Sequence, residues 1–305
     1  MERKEIREHN VVGTLFKPKG DVTLPGLIII PGSDGGIPEE IAQHFASLGY
    51  VVLALGYFGV EGLPEKLENI PLEYFENAIT WFGKQPYVKQ NSIGLIGSSR
   101  GGELVLLLGA TFPELINAIV AYVPSSVVYG GFPNLNGPAW THHHKPITPF
   151  VPCSSNEEVM QAVKEGKLPV HQGTFEDPFE ILPVYLYDMQ KYQQIFQEAA
   201  IPVENIACPL LILTGEDDRM WPSTMFGNMV MERLDKKGST IARKHLHFPH
   251  AGHAFAMPDA PASDKPVYHP VGKFWCTFGG TAEGNAYATK ESWREVQEFL
   301  KTYLP

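Results

Sequence analysis

The sequence predicts an α/β fold built around a mostly parallel sheet. Short, wholly apolar runs such as residues 27–30 and 51–55 alternate with segments of helical periodicity. A run of this length is typical of a strand buried on both faces, and helices between such runs make parallel crossovers. The chain has 305 residues, of which 44% are hydrophobic, and this suits a sizeable core. We therefore expect a single domain over residues 1–305.

The predicted elements follow from periodicity and from the glycines and prolines that separate them. Strands are predicted at residues 6–16, 27–30, 51–55, 93–96, 118–123, 210–213 and 245–248. Helices are predicted at residues 38–48, 72–82, 101–110, about 185–200 and about 291–303.

The alternation lapses between about Tyr129 and Ala200, where glycine, proline and histidine are frequent. Long irregular segments in α/β enzymes often cover the site. We predict that this segment is a lid-like insertion within the domain.

Charge and composition exclude several classes of function. The formal net charge is −10, whereas nucleic-acid binding needs a basic face. No apolar run is long enough to span a bilayer, and no signal peptide is apparent, so we expect no membrane association and a cytoplasmic location. Cys153, Cys208 and Cys276 are odd in number and widely spaced, which argues against disulfides or a zinc site.

Residues 97–101 form the strongest motif in the chain. They read Gly-Ser-Ser-Arg-Gly and fit G-x-S-x-G, directly between a predicted strand and a predicted helix. This is the context of a nucleophile elbow, in which the turn is too tight for side chains on either side of the serine. The motif therefore predicts the α/β-hydrolase fold, with Ser99 as nucleophile; counting from Ser98 breaks the glycine spacing.

A serine nucleophile needs a base and an acid, which follow it along the chain in this fold. The strand at residues 210–213 leads into a turn where Asp218 is the expected acid and Asp217 the alternative. The strand at residues 245–248 leads to His253, the expected base, with His250 as the alternative.

The oxyanion hole is expected to use two backbone N–H groups. One is that of Arg100, directly after the nucleophile, and the other is that of Ser33, in the glycine-rich loop at residues 31–36. An ordinary glycine-rich turn is the alternative interpretation of that loop.

Three consecutive histidines, His142 to His144, raise the question of a metal. Consecutive residues point to different faces, so that three in a row rarely ligate one ion. We expect no metal, and the predicted chemistry requires no cofactor.

At this point the residues resemble a family. The chain is similar to the catalytic domain of the acyl-CoA thioesterases related to bile acid-CoA:amino acid N-acyltransferase, which are relatives of the dienelactone hydrolases. The matching segments lie throughout the chain from about Val11. They are residues 12–16, 72–75, 94–97, 101–103, 201–204, 215–218 with Trp221, Pro249, 252–253, 279–280 and Trp293. The segment from Pro138 to Lys167 matches poorly.

The resemblance implies hydrolysis of an acyl-CoA thioester to a free acid and coenzyme A. Its nucleophile, acid and base fall on Ser99, Asp218 and His253, and the members that transfer the acyl group to an amino acid use cysteine instead of serine. An esterase or dienelactone-type hydrolase acting on small esters is the alternative, and a non-catalytic binding protein is a third. Because the chain is acidic and the coenzyme is polyanionic, Arg100, Arg219 and Lys145 are candidates to offset its charge.

Overall fold

The computed structural model describes residues 1–150, 156–255, 258 and 263–305. The strands are β1 (Glu2–Glu8), β2 (Val11–Lys17), β3 (Leu24–Ile30), β4 (Val51–Leu55), β5 (Ile70–Pro71), β6 (Val88–Ser98), β7 (Ala118–Tyr122), β8 (Trp140–His142), β9 (Lys145–Pro146), β10 (Leu210–Gly215), β11 (Arg243–Phe248), β12 (Val267–His269) and β13 (Phe274–Cys276). The helices are α1 (Glu39–Ser47), α2 (Leu72–Gly83), α3 (Arg100–Thr111), α4 (Asn156–Lys164), α5 (Leu182–Lys191), α6 (Gln193–Glu198), α7 (Ser223–Lys236) and α8 (Ala282–Tyr303).

Eight strands form the central sheet in the order β1-β2-β4-β3-β6-β7-β10-β11. The strands from β4 to β11 in this order pair in parallel, while β2 is antiparallel to both β1 and β4. Because parallel strands bring their carboxyl ends to one edge, the loops after β3, β6, β10 and β11 lie on the same side of the sheet.

The sheet is buried on both faces, as the apolar runs predicted. In β3, Ile28 and Ile30 belong to the core on the side of α2, α3 and α7. Leu27 and Ile29 face the opposite core, which is closed by α1 and α8. Successive side chains of a strand point to opposite faces, so that one apolar run supplies both cores. This architecture confirms the predicted fold class.

Three predicted elements differ from the structure. The strand predicted over residues 6–16 is a hairpin, β1 and β2, because His9 and Asn10 turn the chain with positive φ. The helix predicted at about 185–200 is interrupted at Tyr192, which separates α5 from α6. Helix α8 begins at Ala282 instead of about Glu291, and the Thr281 side chain caps it by accepting the N–H of Gly284.

The segment between β7 and β10 contains the irregular region that the sequence indicated. Its two ends are adjacent, because Val127 and Ala200 form a bridge and the N–H of Ile201 donates to the Ser126 carbonyl. Strands β8 and β9 pair with each other and with β5 in a small separate sheet. The role of this segment as a lid stays a prediction.

Two of the three cysteines can be placed. Cys208 and Cys276 are buried and free. Cys153 lies outside the described residues. Within the described part of the chain, none of the helices is long and apolar enough to cross a membrane.

Candidate active site

Ser99 occupies a strained turn between β6 and α3. Its φ of 58° and ψ of −121° place it in a region that non-glycine residues rarely adopt. A Cβ at Gly97 would lie 2.1 Å from the carbonyl oxygen of Gly101, and one at Gly101 would lie 2.5 Å from that of Ile30. Both flanking glycines are therefore required sterically, as the sequence motif predicted for a turn this tight.

Ser99, His253 and Asp218 form one hydrogen-bonded chain. The distance from His253 Nε2 to Ser99 Oγ is 2.8 Å, and that from His253 Nδ1 to Asp218 Oδ2 is also 2.8 Å. His253 and Asp218 are buried. A carboxylate accepts and does not donate, so that Nδ1 carries the proton and Nε2 is left to accept the hydroxyl proton of Ser99. The structure thus brings together the three residues that the sequence selected.

The loop after β10 aims Asp218, and not Asp217, at the histidine. Asp218 Oδ1 accepts the backbone N–H groups of Met220 at 2.9 Å and Trp221 at 3.2 Å, which fixes the carboxylate with Oδ2 toward the imidazole. Asp217 instead accepts from Arg219 Nε at 2.6 Å and from the Gly280 N–H at 3.0 Å.

The loop after β11 positions His253 through backbone contacts. Its N–H donates to the Phe278 carbonyl at 2.8 Å, and its ring lies edge-on to those of Trp221 and Phe278. A Cβ at Gly252 would lie 2.3 Å from two carbonyl oxygens, so that glycine is needed for the loop to pack here. His250, the alternative base, is exposed and does not take part in the chain of hydrogen bonds that reaches Ser99.

The loop after β3 lies against Ser99. A Cβ at Gly32 would meet Ser99 Cβ at 3.5 Å, and Ser33 follows in the chain. Arg100 is the first residue of α3, and a helix leaves its first N–H groups without intrahelical partners. This placement is consistent with both expected oxyanion donors, whose roles stay predictions.

His269 is a residue near the site that the sequence did not reveal. Its Nδ1 accepts the Gly272 N–H at 3.2 Å, so that Nε2 carries the hydrogen and donates to Ser33 Oγ at 2.9 Å. Burial lowers the pKa of His269, which favours this neutral form. The two residues are 236 positions apart, and no local motif marks the contact.

The Arg100 side chain points away from solvent and ties the inserted segment to α3. Its guanidinium donates to Glu103 at 2.8 Å and to the carbonyls of Tyr129 at 3.1 Å and Gly130 at 2.9 Å. Glu103 also accepts from Trp140 Nε1 at 3.0 Å. Burial raises the pKa of Glu103, while the Arg100 charge beside it acts in the opposite direction.

The expectation that Arg100 offsets a polyanionic coenzyme is wrong, because Arg100 is neutralised in the buried pair with Glu103. For Arg219 it stays a prediction: this side chain forms ion pairs with Glu180 at 2.8 Å and with Asp217 at 2.5 Å and is 43% exposed. Lys145 is exposed on the β8–β9 hairpin.

An apolar cavity of about 610 Å³ lies between the inserted helices and α7. Its lining includes Val127, Met189, Phe196 and Met229. Val127 and Met189 belong to the same buried cluster as Trp221, whose ring contacts that of His253. The residues that line the cavity include neither Ser99, Asp218 and His253 nor Trp221, so that the cavity lies beside this cluster and not at the hydrogen-bonded chain.

The mostly parallel sheet, the tight turn at Ser99 and the hydrogen-bonded chain from Ser99 to Asp218 together define a protein of the α/β-hydrolase class. Among solved structures, the α/β hydrolase GrgF from Penicillium is similar with a TM-score of 0.56 and 17% identity over 96% of this chain and 94% of that one. A dienelactone hydrolase from Anabaena variabilis is similar with a TM-score of 0.50 and 14% identity over 100% and 99%. At these identities the likeness concerns the fold alone.

The family is defined by sequence. Residues 70–305 match the family model described as BAAT / acyl-CoA thioester hydrolase C terminal, and the chain belongs to this family. The whole chain is 32% identical to mouse acyl-coenzyme A amino acid N-acyltransferase 2 and 31% identical to human acyl-coenzyme A thioesterase 2, mitochondrial. It spans 66% of the length of the first relative and 57% of the second. The resemblance deduced from the residues is confirmed.

Proposed function

We propose that this protein is a serine hydrolase that cleaves acyl-CoA thioesters to a free acid and coenzyme A. The observation that carries the proposal is the chain from Ser99 through His253 to Asp218, at 2.8 Å for each hydrogen bond, in a member of this family. The family supplies the substrate class, and the geometry supplies the means of activating a hydroxyl.

In the proposed mechanism, Ser99 Oγ attacks the thioester carbonyl while His253 Nε2 takes its proton. The oxyanion that forms accepts hydrogen bonds from the N–H groups of Arg100 and Ser33. His253 then gives the proton to the leaving thiolate of coenzyme A. Water, activated by the same imidazole, hydrolyses the acyl-enzyme and restores Ser99. Asp218 holds the imidazole tautomer and stabilises its charged form.

The family supports an acyl group as substrate, since the two relatives described above are named for acyl-coenzyme A. The 610 Å³ cavity is lined mainly by apolar side chains, which is the character of pockets that bind apolar ligands. It is separated from His253 by the buried cluster that contains Trp221. We expect a straight acyl chain to be preferred over a small polar ester.

The experiment is a substrate panel assayed on one purified preparation. It compares acyl-CoA esters from two to sixteen carbons with p-nitrophenyl esters of the same acids. Release of the coenzyme A thiol is followed with a chromogenic reagent, and release of p-nitrophenolate by its own absorbance. We expect kcat/KM to be higher for the thioesters. A consistent preference for the oxygen esters would instead favour the esterase alternative.

A third arm of the panel addresses acyl transfer, because a relative at 32% identity is named as an N-acyltransferase. Excess glycine or taurine is added to the acyl-CoA reaction, and the products are analysed by mass spectrometry. We expect free acid, since a serine oxyester is less reactive toward amines than a cysteine thioester. Amide as the main product would replace the hydrolase assignment with that of a transferase.

The cytoplasmic location stays a prediction. The relative human acyl-coenzyme A thioesterase 2 carries the word mitochondrial in its name.

A further inference from the structure

Glu73, His142 and His143 form a cluster outside the catalytic centre. Each offers one ligand atom, and these three atoms lie within 4.8 Å of one another. The His142 ring packs edge-on against Phe112, at the far end of α3. That helix has 12 residues, so about 18 Å of helix separates Phe112 from Ser99. The cluster is therefore not part of the proposed hydrolase site.

The two histidines converge because of a turn. His143 and His144 connect β8 to β9, and both have positive φ, 51° and 61°. The chain reverses directly after His142, and the His143 ring stacks on that of His142, with ring centroids 4.0 Å apart and ring planes 27° apart. Because a metal ion lies in the plane of each imidazole that binds it, the exposed His143 side chain has to rotate for both rings to bind one ion. The expectation that consecutive side chains point to different faces holds along a strand but not at the first residue of such a turn.

Glu73 completes the cluster from the first turn of α2. Its Oε1 accepts the His143 N–H at 2.6 Å, while Oε2 is buried and has no hydrogen-bond partner among the described residues. A buried carboxylate oxygen without a donor is costly, and a cation beside it would remove that cost.

We propose that Glu73, His142 and His143 bind one Zn²⁺ ion. Two imidazoles and a carboxylate are a ligand set that zinc prefers, and water would complete the tetrahedron. His143 is 79% exposed, which gives an ion direct access from solvent. The ion would connect the β8–β9 hairpin to the first turn of α2 and so hold the start of the inserted segment against the core. It takes no part in hydrolysis.

The test uses untagged, chelator-treated full-length protein titrated with ZnCl₂ against a chromogenic zinc indicator. We expect wild type to bind one equivalent more than the His143→Ala variant. In Glu73→Gln, whose amide oxygen still accepts the His143 N–H, the affinity of this site should fall by at least about tenfold, since even residues that only orient a ligand change metal affinity by that factor. Zinc should raise the melting temperature of wild type more than that of either variant.

His144→Ala is the matched control. It lies in the same turn with the same sign of φ, so alanine imposes a comparable backbone cost at either position, and it is not in the cluster. We expect its zinc binding to equal that of wild type. An equal loss of zinc binding in His144→Ala and His143→Ala would mean that any histidines of this run bind the ion, without a defined site. Zinc binding equal to that of wild type in both His143→Ala and Glu73→Gln would mean that the ions are adventitious. Either result overturns the proposal.

Discussion

The loops that carry Ser99, Asp218 and His253 differ from the inserted segment in how they are held. Each of these loops directly follows a core strand and contains a glycine that packs against a neighbouring backbone. A Cβ added at these glycines would lie only 2.1–2.5 Å from a backbone atom, so no other residue fits there. The inserted segment packs on the rest of the chain partly through buried aromatic residues, which include Tyr129, Trp140 and Phe150. Much of the remainder is open, and Val170 is 68% exposed.

The difference shows where function is encoded locally and where it is not. A strand, a glycine and a catalytic residue within six positions are enough to fix a side chain at the carboxyl edge of a parallel sheet. An inserted segment depends on contacts with distant residues, which here include the hydrogen bonds from Arg100 to the Tyr129 and Gly130 carbonyls and from Trp140 to Glu103. Substitutions in the two regions should therefore fail differently, the first in catalysis and the second in stability.

The largest effect is expected at the nucleophile. Ser99→Ala should lower kcat by about 10³–10⁶-fold, because the attacking oxygen is lost while oxyanion donors and binding remain. The Ser99 side chain is hydrogen-bonded to His253, and no core contact depends on it, so the urea midpoint should stay near that of wild type. The measurement is steady-state thioester hydrolysis on folded protein. A mutant that retains more than a tenth of wild-type activity would remove Ser99 from its assigned role.

The next effect distinguishes two adjacent acids. Asp218→Asn should lower kcat by about 10³–10⁴-fold, because an amide favours the wrong imidazole tautomer. Asp217→Asn should cost less than about tenfold, since that carboxylate contacts Arg219 and Gly280 and not the histidine. Both variants are assayed in parallel. If Asp217→Asn proves the more damaging, the orienting role moves to that residue.

The sequence was sufficient for the parallel strands of the central sheet and for the hydrogen-bonded chain from Ser99 to Asp218, but it did not indicate helix α7. Buried strands such as Val51–Leu55 are visible as apolar runs because both faces of the sheet are covered. The elbow is visible because backbone crowding dictates glycine at positions 97 and 101. Both patterns can be recognised within a few consecutive residues.

The sequence was insufficient where two side chains that are far apart in the chain are paired and no local motif marks either of them. Arg100 looked available to a coenzyme, since nothing local shows that it lies against the Tyr129 and Gly130 carbonyls. His269 was missed because its partner, Ser33, belongs to the loop after the first parallel strand. Only a three-dimensional arrangement connects such residues.

A stability effect of intermediate size is expected where the inserted segment meets α3. Glu103→Gln leaves the buried Arg100 guanidinium without its counter-charge, and unpaired buried charges typically cost about 3–5 kcal/mol. The free energy of unfolding is measured by urea denaturation. Glu180→Gln is the control, because its pair with Arg219 is partly exposed and should contribute less than about 1 kcal/mol. Equal losses in the two variants would mean that the Arg100–Glu103 pair does not anchor the segment.

The smallest effect concerns acid stability near the loop that carries Asp218. His245 Nε2 lies 2.8 Å from Thr214 Oγ1 on β10, and burial lowers the pKa of this histidine to about 4. Between the ordinary pKa of about 6.5 and this value, the unfolded chain binds a proton that the folded chain does not. Stability from the neutral imidazole is therefore complete above about pH 6.5 and is lost as the pH falls toward 4. The glutamine in His245→Gln cannot titrate, so the free energy of unfolding of this variant should fall less between about pH 6.5 and pH 4 than that of wild type. The difference between the two falls is expected to be at most about 3 kcal/mol, and it is measured by urea denaturation at each pH. The exposed His144→Gln should keep the wild-type slope. An unchanged slope in His245→Gln would mean that the acid sensitivity of the protein lies outside this strand pair.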